Sequence, residues 1–144
     1  MNKRRNRAAG FTLIELLLVV VIIGILAAIV VPKLAGRGED AKKAAASGDI
    51  KSLSTALTMY EVDNQMYPTT DQGLAALLQK PGGAPEAPNW RNGGYIDRLP
   101  QDPWKRDYIY LQPGQRGDFD LYSLGADGQP GGEGANADIG NWGD

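Results

Sequence analysis

Phe11-Thr12-Leu13-Ile14-Glu15, followed by an uncharged apolar run from Leu16 to Val31, decides how the rest of this chain is organised. The 21 residues from Phe11 to Val31 would form a helix about 31 Å long, which is enough to cross the hydrocarbon core of a bilayer. The one charge in this helix is Glu15, and an acid in lipid costs roughly 2.5–3.5 kcal/mol on insertion scales. The sequence therefore predicts either a partner for this carboxylate or a position at the level of the lipid headgroups.

A short basic leader precedes the apolar run. The first ten residues carry Lys3, Arg4, Arg5 and Arg7 and no acid, whereas the remainder has eleven basic and seventeen acidic residues. Because cytoplasmic flanks of membrane segments are enriched in Lys and Arg, this asymmetry predicts a cytoplasmic N-terminus and an exported C-terminal domain. The acidic body argues against a nucleic-acid partner, since phosphates require basic patches.

The composition also limits the chemistry of the chain. Its 144 residues fit one small domain beside the apolar segment, and they include neither Cys nor His. A disulfide is therefore excluded, and the commonest general base, the thiol nucleophile and most zinc ligands are missing. No nucleophile-elbow or phosphate-loop pattern is present. We predict that the protein is not an enzyme.

The helix is expected to continue beyond the apolar run. Pro32 either ends a membrane helix or kinks a longer one, and both alternatives are open. Helix-favouring composition resumes at Glu39, which favours one helix from Phe11 to about Val62, roughly 78 Å long. Its second half carries an apolar stripe at spacings of three and four, which requires a partner surface. The stripe consists of Ala46, Ile50, Leu53, Leu57 and Tyr60.

The rest of the chain predicts a small mixed domain. Thr70 or Asp71 is placed to cap a short helix from about Gln72 to Gln79, and residues 81–90 are rich in Pro and Gly and predict irregular chain. Residues 108–111 and 118–121 alternate in polarity on either side of a turn at 112–117, which predicts a β-hairpin packed on the helical stripe. The predicted fold class is α+β. Five further residues are predicted to pack in the core. Leu74, Leu77 and Leu78 would form the buried face of the short helix, and Trp90 and Tyr95 are interpreted more as core anchors than as subunit contacts.

The C-terminal tail is acidic and rich in glycine. From Asp118 to Asp144 there are six acids and no Lys or Arg. Glycines let carbonyl and carboxylate oxygens converge, as the six to eight oxygen ligands of calcium require. The spacing is not that of an EF-hand. A calcium loop and a solvated, mobile tail are both compatible with this pattern.

Five stretches together carry a family resemblance. The basic leader, Gly10 and the Phe11–Glu15 stretch are similar to the class III signal of type IV pilins and pseudopilins. The whole set resembles the major pseudopilin of the type II secretion system, the general secretion pathway protein G family, along nearly the whole chain. The stretches are Phe11–Glu15, Tyr67–Thr70, Leu99–Trp104, Ser123–Gly128 and Asp138–Trp142.

This resemblance implies a processing and assembly route. A prepilin peptidase would cut after Gly10 and methylate the new amine of Phe11, and Glu15 would meet the Phe11 amine of a neighbouring subunit. The implied segments are a leader at 1–10, a transmembrane and filament-core helix at 11–31, its amphipathic continuation at 32–62 and a periplasmic globular region at 63–144. The chain would cross the inner membrane once and then enter a periplasmic filament.

The resemblance also implies a type IV pilin-like fold with a calcium ion in the C-terminal loop. By position the ligands would be the Leu124 carbonyl and the carboxylates of Asp127 and Asp138, with carbonyls near Gln129 and Ala135 as further candidates. Ala137 stands where some members have another Asp, and whether Glu133 or Asn136 substitutes is open. Some members have an acid at the position of Thr58 and use it for a salt bridge between subunits. That contact cannot be transferred to this chain.

The implied function is that of a structural subunit. The chain would polymerise with copies of itself into a periplasmic pseudopilus that drives folded proteins across the outer membrane. Its partners would be prepilin peptidase, minor pseudopilins and the inner-membrane assembly platform. The alternative is a type IV pilin for motility, adhesion or DNA uptake.

Overall fold

A computed structural model describes residues 10–143, with the backbone alone for residues 30–36. The charged residues of the predicted leader all fall within residues 1–9 and therefore lie outside this range. The chain divides into two compact units, Met1–Gly38 and Glu39–Asp144, and each is described by itself.

One α-helix, α1, runs Leu13–Asn64 over 52 residues. It continues through Pro32, so the alternative in which this proline ends the helix is wrong. Its first turn is stabilised by Thr12, whose Oγ1 accepts a hydrogen bond from the Glu15 backbone N at 3.3 Å. Thr12 and Glu15 have the spacing of a capping box, and an acid in the first turn also complements the helix dipole. Glu15 therefore has a local role in starting α1.

In the first unit the apolar side chains point outward on all sides of α1. Every large apolar residue from Phe11 to Ile29 is at least 47% exposed, and Leu13 reaches 84%. A helix that is apolar all round is normally buried in protein or lipid. Within the part of the chain that the structure describes, no helix is long and apolar enough to span a membrane.

In the second unit α1 buries only one face. The predicted stripe is confirmed, because all five of its residues, Ala46 to Tyr60, are at most 2% exposed. Four of them, from Ile50 to Tyr60, form the centre of one hydrophobic core together with Ala56 of the same helix. Its other members come from the short helix, from irregular chain and from the strands and their flanking residues. These members are Leu74, Ala76, Leu77, Ala87, Tyr108, Tyr110, Phe119 and Leu121.

Three short strands make the sheet. Strands β1 (Ile109–Leu111), β2 (Asp120–Ser123) and β3 (Ile139–Gly140) pair antiparallel in the order β1-β2-β3. The predicted hairpin is confirmed, with Tyr110 opposite Leu121, although β2 begins two residues later than the polar–apolar alternation indicates. The third strand was not predicted, because two residues, one of them glycine, carry no detectable period.

Three local predictions need correction. The reciprocal bonds that precede the short helix join Thr69 and Gln72: Thr69 N donates to Gln72 Oε1 at 3.1 Å and Gln72 N to Thr69 Oγ1 at 3.2 Å. Neither Thr70 nor Asp71 caps the helix, which is a 3-10 helix at Leu74–Leu77 with no side-chain cap. Thr70 instead binds the hairpin turn, accepting from the Gln112 N at 2.8 Å. The third correction is that Leu78 is 36% exposed.

The two predicted aromatic anchors do pack against the core. Trp90 donates its indole N–H to the Ala76 carbonyl at 2.8 Å. The ring centroid of Tyr95 lies 5.3 Å from that of Tyr60 on α1. These contacts attach the irregular segment that precedes β1 to the 3-10 helix through Trp90 and to α1 through Tyr95.

The one-sided burial of α1 predicts a contrast between two neighbouring apolar residues. Leu57→Ala leaves a cavity in the core and should lower the free energy of unfolding by about 2–5 kcal/mol. Val62→Ala, at a side chain that is 69% exposed, should change it by no more than about 0.5 kcal/mol. Guanidinium denaturation of the full chain in detergent, followed by tyrosine and tryptophan near-UV circular dichroism, measures both. Equal losses would contradict this assignment of the core face.

Candidate functional site

The first candidate site lies at the start of the described residues, at Gly10 and Phe11. Gly10 and Phe11 are exposed and precede the helix, so the Gly10–Phe11 peptide bond lies in non-helical chain. The phenyl ring of Phe11 is 80% exposed. Among the side chains that the structure describes, no cation pairs with the Glu15 carboxylate. The expected cleavage point is thus exposed, and it lies four residues before an acid that has no partner in the described part of the chain.

The second candidate site is the loop from Leu124 to Asp138, between β2 and β3. Ser123 lies opposite Ile139 in the ladder, so Leu124 and Asp138, the next residue on each strand, leave the sheet at the same end. Farther along the loop, the Ala126 N donates to the Ala135 carbonyl at 3.0 Å. The two halves of the loop therefore run side by side, which brings Leu124 and Ala135 to the same region as Asp138.

Gly125 permits this close approach. Its φ is +64°, and an added Cβ would lie 2.6 Å from the Ala137 carbonyl oxygen and 3.0 Å from that of Asn136. Any other residue would force the two halves of the loop apart.

The two acids expected as metal ligands lie in different surroundings. Asp127 is exposed, and its Oδ1 accepts from the Gln129 N at 3.0 Å. Asp138 accepts from the Gly131 N at 2.9 Å through Oδ2, while its Oδ1 is buried and has no hydrogen-bond partner among the described residues. A buried carboxylate oxygen without a donor is unfavourable, so this atom is suited to a cation.

The donor set of the loop is limited. No group of three or more Asp, Glu, His or Cys side chains able to hold a metal ion occurs in the described residues. Calcium takes backbone carbonyls as well as carboxylates among its ligands. The loop therefore fits calcium only if carbonyl oxygens complete the coordination, and Glu133 and Asn136, both exposed, leave the question of a substitute for the missing Asp open.

A buried acid that the sequence analysis did not single out organises the neighbouring turn. Asp102 is 2% exposed. Its Oδ1 accepts from the backbone N of Trp104 at 3.0 Å and of Arg106 at 2.8 Å, and its Oδ2 accepts from the Ser123 hydroxyl at 2.7 Å. Ser123 Oγ in turn accepts from the Gly125 N at 3.3 Å. Asp102 thus joins the turn at 102–106 to the end of β2 and to the loop, and the Asp-Pro pair ahead of Arg106 was the available signal.

The same turn is tied to α1. Trp104 donates its indole N–H to the Glu39 carboxylate at 3.2 Å, and the Tyr108 hydroxyl donates to Asp49 at 2.9 Å. A hydrogen bond from Lys42 lowers the pKa of the Glu39 carboxyl. Burial, followed by the bond to Asp49, raises the pKa of Tyr108. Both side chains therefore keep at neutral pH the protonation states that these bonds require.

The end of the tail is clamped on β2 by two residues. Asn141 donates its amide to the Phe119 carbonyl at 2.9 Å and accepts from the Leu121 N at 2.9 Å, as a strand backbone would. The Trp142 ring lies under the Arg116 guanidinium, with 3.8 Å from Cζ to the ring centroid, a cation–π geometry. The tail is consequently ordered through Trp142, which argues against the reading of a mobile end.

These features match a known family. The profile described as "Type II secretion system (T2SS), protein G" covers residues 33–142, and the profile "Prokaryotic N-terminal methylation motif" covers residues 5–31. The chain belongs to the type II secretion system protein G family. The resemblance that the motifs carry is thereby confirmed.

Relatives of this family match over nearly their full length. The "Type II secretion system core protein G" of Pseudomonas aeruginosa is 56% identical over 139 residues, 96% of this chain and 98% of its own length. The protein of the same name from Vibrio cholerae is 58% identical over 140 residues, 97% of this chain and 95% of its own.

A solved structure confirms the fold. The crystal structure of the major pseudopilin from the type 2 secretion system of enterohaemorrhagic Escherichia coli matches with a TM-score of 0.68 at 50% identity. The match covers 78% of this chain and 96% of that chain. The α+β, type IV pilin-like fold predicted for this member of the protein G family is therefore correct.

The central position of Asp102 leads to a testable consequence. Asp102→Asn removes the charge that faces Arg106 while keeping the size of the side chain, and it should lower the free energy of unfolding by about 2–3 kcal/mol. Asp107→Asn is the matched control, because Asp107 is exposed and accepts only from Gln101 at 3.3 Å. Denaturation of both variants measures the difference, and a loss no larger than that of the control would show that Asp102 does not hold the turn and the loop together.

Proposed function

We propose that this chain is the major pseudopilin subunit of a type II secretion system. It polymerises into a periplasmic pseudopilus that drives export of folded proteins across the outer membrane. Membership of the protein G family supports this function over that of a type IV pilin for motility, adhesion or DNA uptake. The role is structural and not catalytic.

The observation that carries the proposal is the exposure of the apolar side chains on α1 between Phe11 and Ile29. Burying one such side chain is worth roughly 1.5–3 kcal/mol. The fourteen together outweigh the roughly 3 kcal/mol that Glu15 costs in an apolar medium several-fold. The segment is therefore covered by lipid or by other subunits in spite of its acid.

In this proposal lipid covers the apolar segment first, and other subunits cover it after assembly. Prepilin peptidase cuts after Gly10 and methylates the Phe11 amine, and the cleaved subunit is held in the inner membrane by residues 11–31, with its C-terminal domain in the periplasm. In the filament the same residues pack against other copies, and Glu15 pairs with the Phe11 amine of a neighbour. A head-to-tail contact of this kind does not close, so it builds a helical fibre. Minor pseudopilins and the inner-membrane assembly platform are the further partners.

Calcium is proposed to stabilise the C-terminal loop. The ligands would be the carboxylates of Asp127 and Asp138 and the Leu124 carbonyl, with the carbonyls of Gln129 and Ala135 completing the shell. The buried, unpartnered Oδ1 of Asp138 supports this proposal. The metal would link the two halves of the loop in an exported domain that has no cysteine for a disulfide.

Glu15 has two separable roles, and substitution distinguishes them. Glu15→Gln keeps a residue able to complete the capping box but removes the charge, so it should abolish filaments and secretion while leaving cleavage intact. Thr12→Ala weakens the helix cap by about 1 kcal/mol but keeps the charge, so filaments should persist.

Electron microscopy of fibres, assays of secreted enzymes in the culture medium and the mass of the mature subunit measure these outcomes. Glu61→Gln, at a half-buried acid farther along α1, is the control. Normal fibres from Glu15→Gln would contradict the pairing.

The calcium proposal has its own test. Excess calcium should raise the melting temperature of the wild-type chain by several degrees over the value in chelator, as binding at about 100 times Kd stabilises by about 2.7 kcal/mol. Asp127→Ala and Asp138→Asn should lose this difference, whereas Asp118→Asn, at an exposed acid outside the loop, should keep it. Equal melting temperatures of the wild type with calcium and with chelator would refute the metal site.

A further inference from the structure

Arg106 connects the turn at 102–106 to the first half of the C-terminal loop. Its Nη2 donates to the Gly125 carbonyl oxygen. A Cβ added to Gly128 would collide with the same guanidinium, so the backbone at Gly128 passes directly over it. One side chain thus supports both ends of the Gly125–Gly128 turn, the turn that lies between Leu124 and Gln129.

The backbone of Arg106 is fixed from the other side by Asp102, whose carboxylate also faces the guanidinium. The Arg106 backbone N donates to Asp102 Oδ1 at 2.8 Å, and its carbonyl accepts from the Asp102 N at 2.7 Å. The guanidinium Nε lies 3.7 Å from Asp102 Oδ2. The buried Asp102 carboxylate therefore offsets the positive charge of the Arg106 guanidinium. The loop lies beside a neutral ion pair, whereas an uncompensated arginine would repel a metal cation bound in the loop.

An arginine is suited to this position. Its planar fork presents several N–H donors at once, so it can face the Asp102 carboxylate and the Gly125 carbonyl in the same conformation. A lysine ammonium is a single point of charge at the end of a flexible stem and cannot hold both partners in a fixed plane.

We propose that Arg106 is a positioning residue that holds the Gly125–Gly128 turn in its folded arrangement without any metal. Five glycines of the loop, at positions 125, 128, 131, 132 and 134, adopt positive φ. Such a segment loses much conformational entropy when it becomes ordered. Because Arg106 orders the half that carries Leu124 and Asp127, a calcium ion would meet a preformed half-site and bind more tightly. This last step rests on the proposed calcium site; the metal-free role of Arg106 does not.

Amide hydrogen exchange of the full chain in detergent tests the metal-free role. In chelator, Arg106→Met should speed exchange at residues 124–131 by about tenfold relative to wild type, because a hydrogen bond to a charged group is lost. Residues 139–142, which are clamped separately by Asn141 and Trp142, should keep their wild-type exchange rates. Lys105→Met, with the same change of charge at an exposed neighbouring residue, is the matched control.

Arg106→Lys guards against a variant that fails to fold, and it should give an intermediate increase at residues 124–131. Two results would overturn the proposal: wild-type exchange at 124–131 in Arg106→Met, or an equal increase throughout β1 and β2, which would mean a general loss of stability instead of a local one.

A calcium titration of the same samples tests the dependent step. The midpoint for protection of residues 124–138 should move to about tenfold higher calcium in Arg106→Met. An unchanged midpoint would overturn the preformed half-site. A wild-type chain whose exchange ignores calcium would refute the metal site and with it the half-site, whereas the measurement in chelator would still decide whether Arg106 holds the turn.

Discussion

The Glu15 carboxylate lies at the start of an apolar helix and needs a positively charged partner. The rest of the account depends on this need. Thr12 caps the first turn of α1 by accepting from the Glu15 backbone N, and the Glu15 carboxylate complements the helix dipole there; this local role makes an acid acceptable at the beginning of the helix. It does not provide a counter-charge, and the apolar side chains around it are exposed in the single chain. A subunit built in this way is complete only among its copies. In the proposed assembly, both the apolar surface and the Glu15 charge would leave unfavourable surroundings.

The part of α1 that begins at Glu39 has a different side-chain pattern, with apolar residues on one face that pack against the globular domain. In the unit that begins at Glu39, one face of α1 is buried and the other remains exposed. The domain is attached through that single face, with Trp104 and Tyr108 hydrogen-bonded to the helix at Glu39 and Asp49. The exposed face carries apolar residues such as Val62. Thr58 lies on the exposed surface too, and its side chain has no charge with which to form a salt bridge.

The parts of the fold that could be predicted are those with local periodicity. The spacing from Ala46 to Tyr60 identified the core face of α1, and the alternation around residues 108–111 identified the hairpin. Features that depend on distant partners were missed. Asp120 alternates with Phe119 as a solvent-facing residue would, yet it is buried and accepts from the backbone of Gln115 and Arg116. The burial of Asp102 depends on Ser123, 21 residues away, which no local pattern encodes.

The C-terminal loop has some features that the sequence predicted and others that depend on distant partners. Its glycines and acids were compatible with a calcium loop and with a mobile tail, and its candidate ligands came from the family resemblance, whereas β3 and the support by Arg106 became apparent only in three dimensions. The ladder, the Asp102 network and the Asn141–Trp142 clamp together order the tail of a chain that lacks cysteine. These contacts give the protein G fold a C-terminal region that is held by hydrogen bonds and packing, to which a metal would add.

The pairing of Glu15 with a neighbouring subunit is tested most directly by solid-state NMR of mixed filaments. Half of the subunits would carry ¹⁵N in the Phe11 amine and the other half ¹³C in the Glu15 carboxyl group, so that a coupling can arise only between different chains. The account predicts a dipolar coupling that corresponds to a salt-bridge distance of about 4 Å or less. Well-formed filaments without this coupling would contradict it.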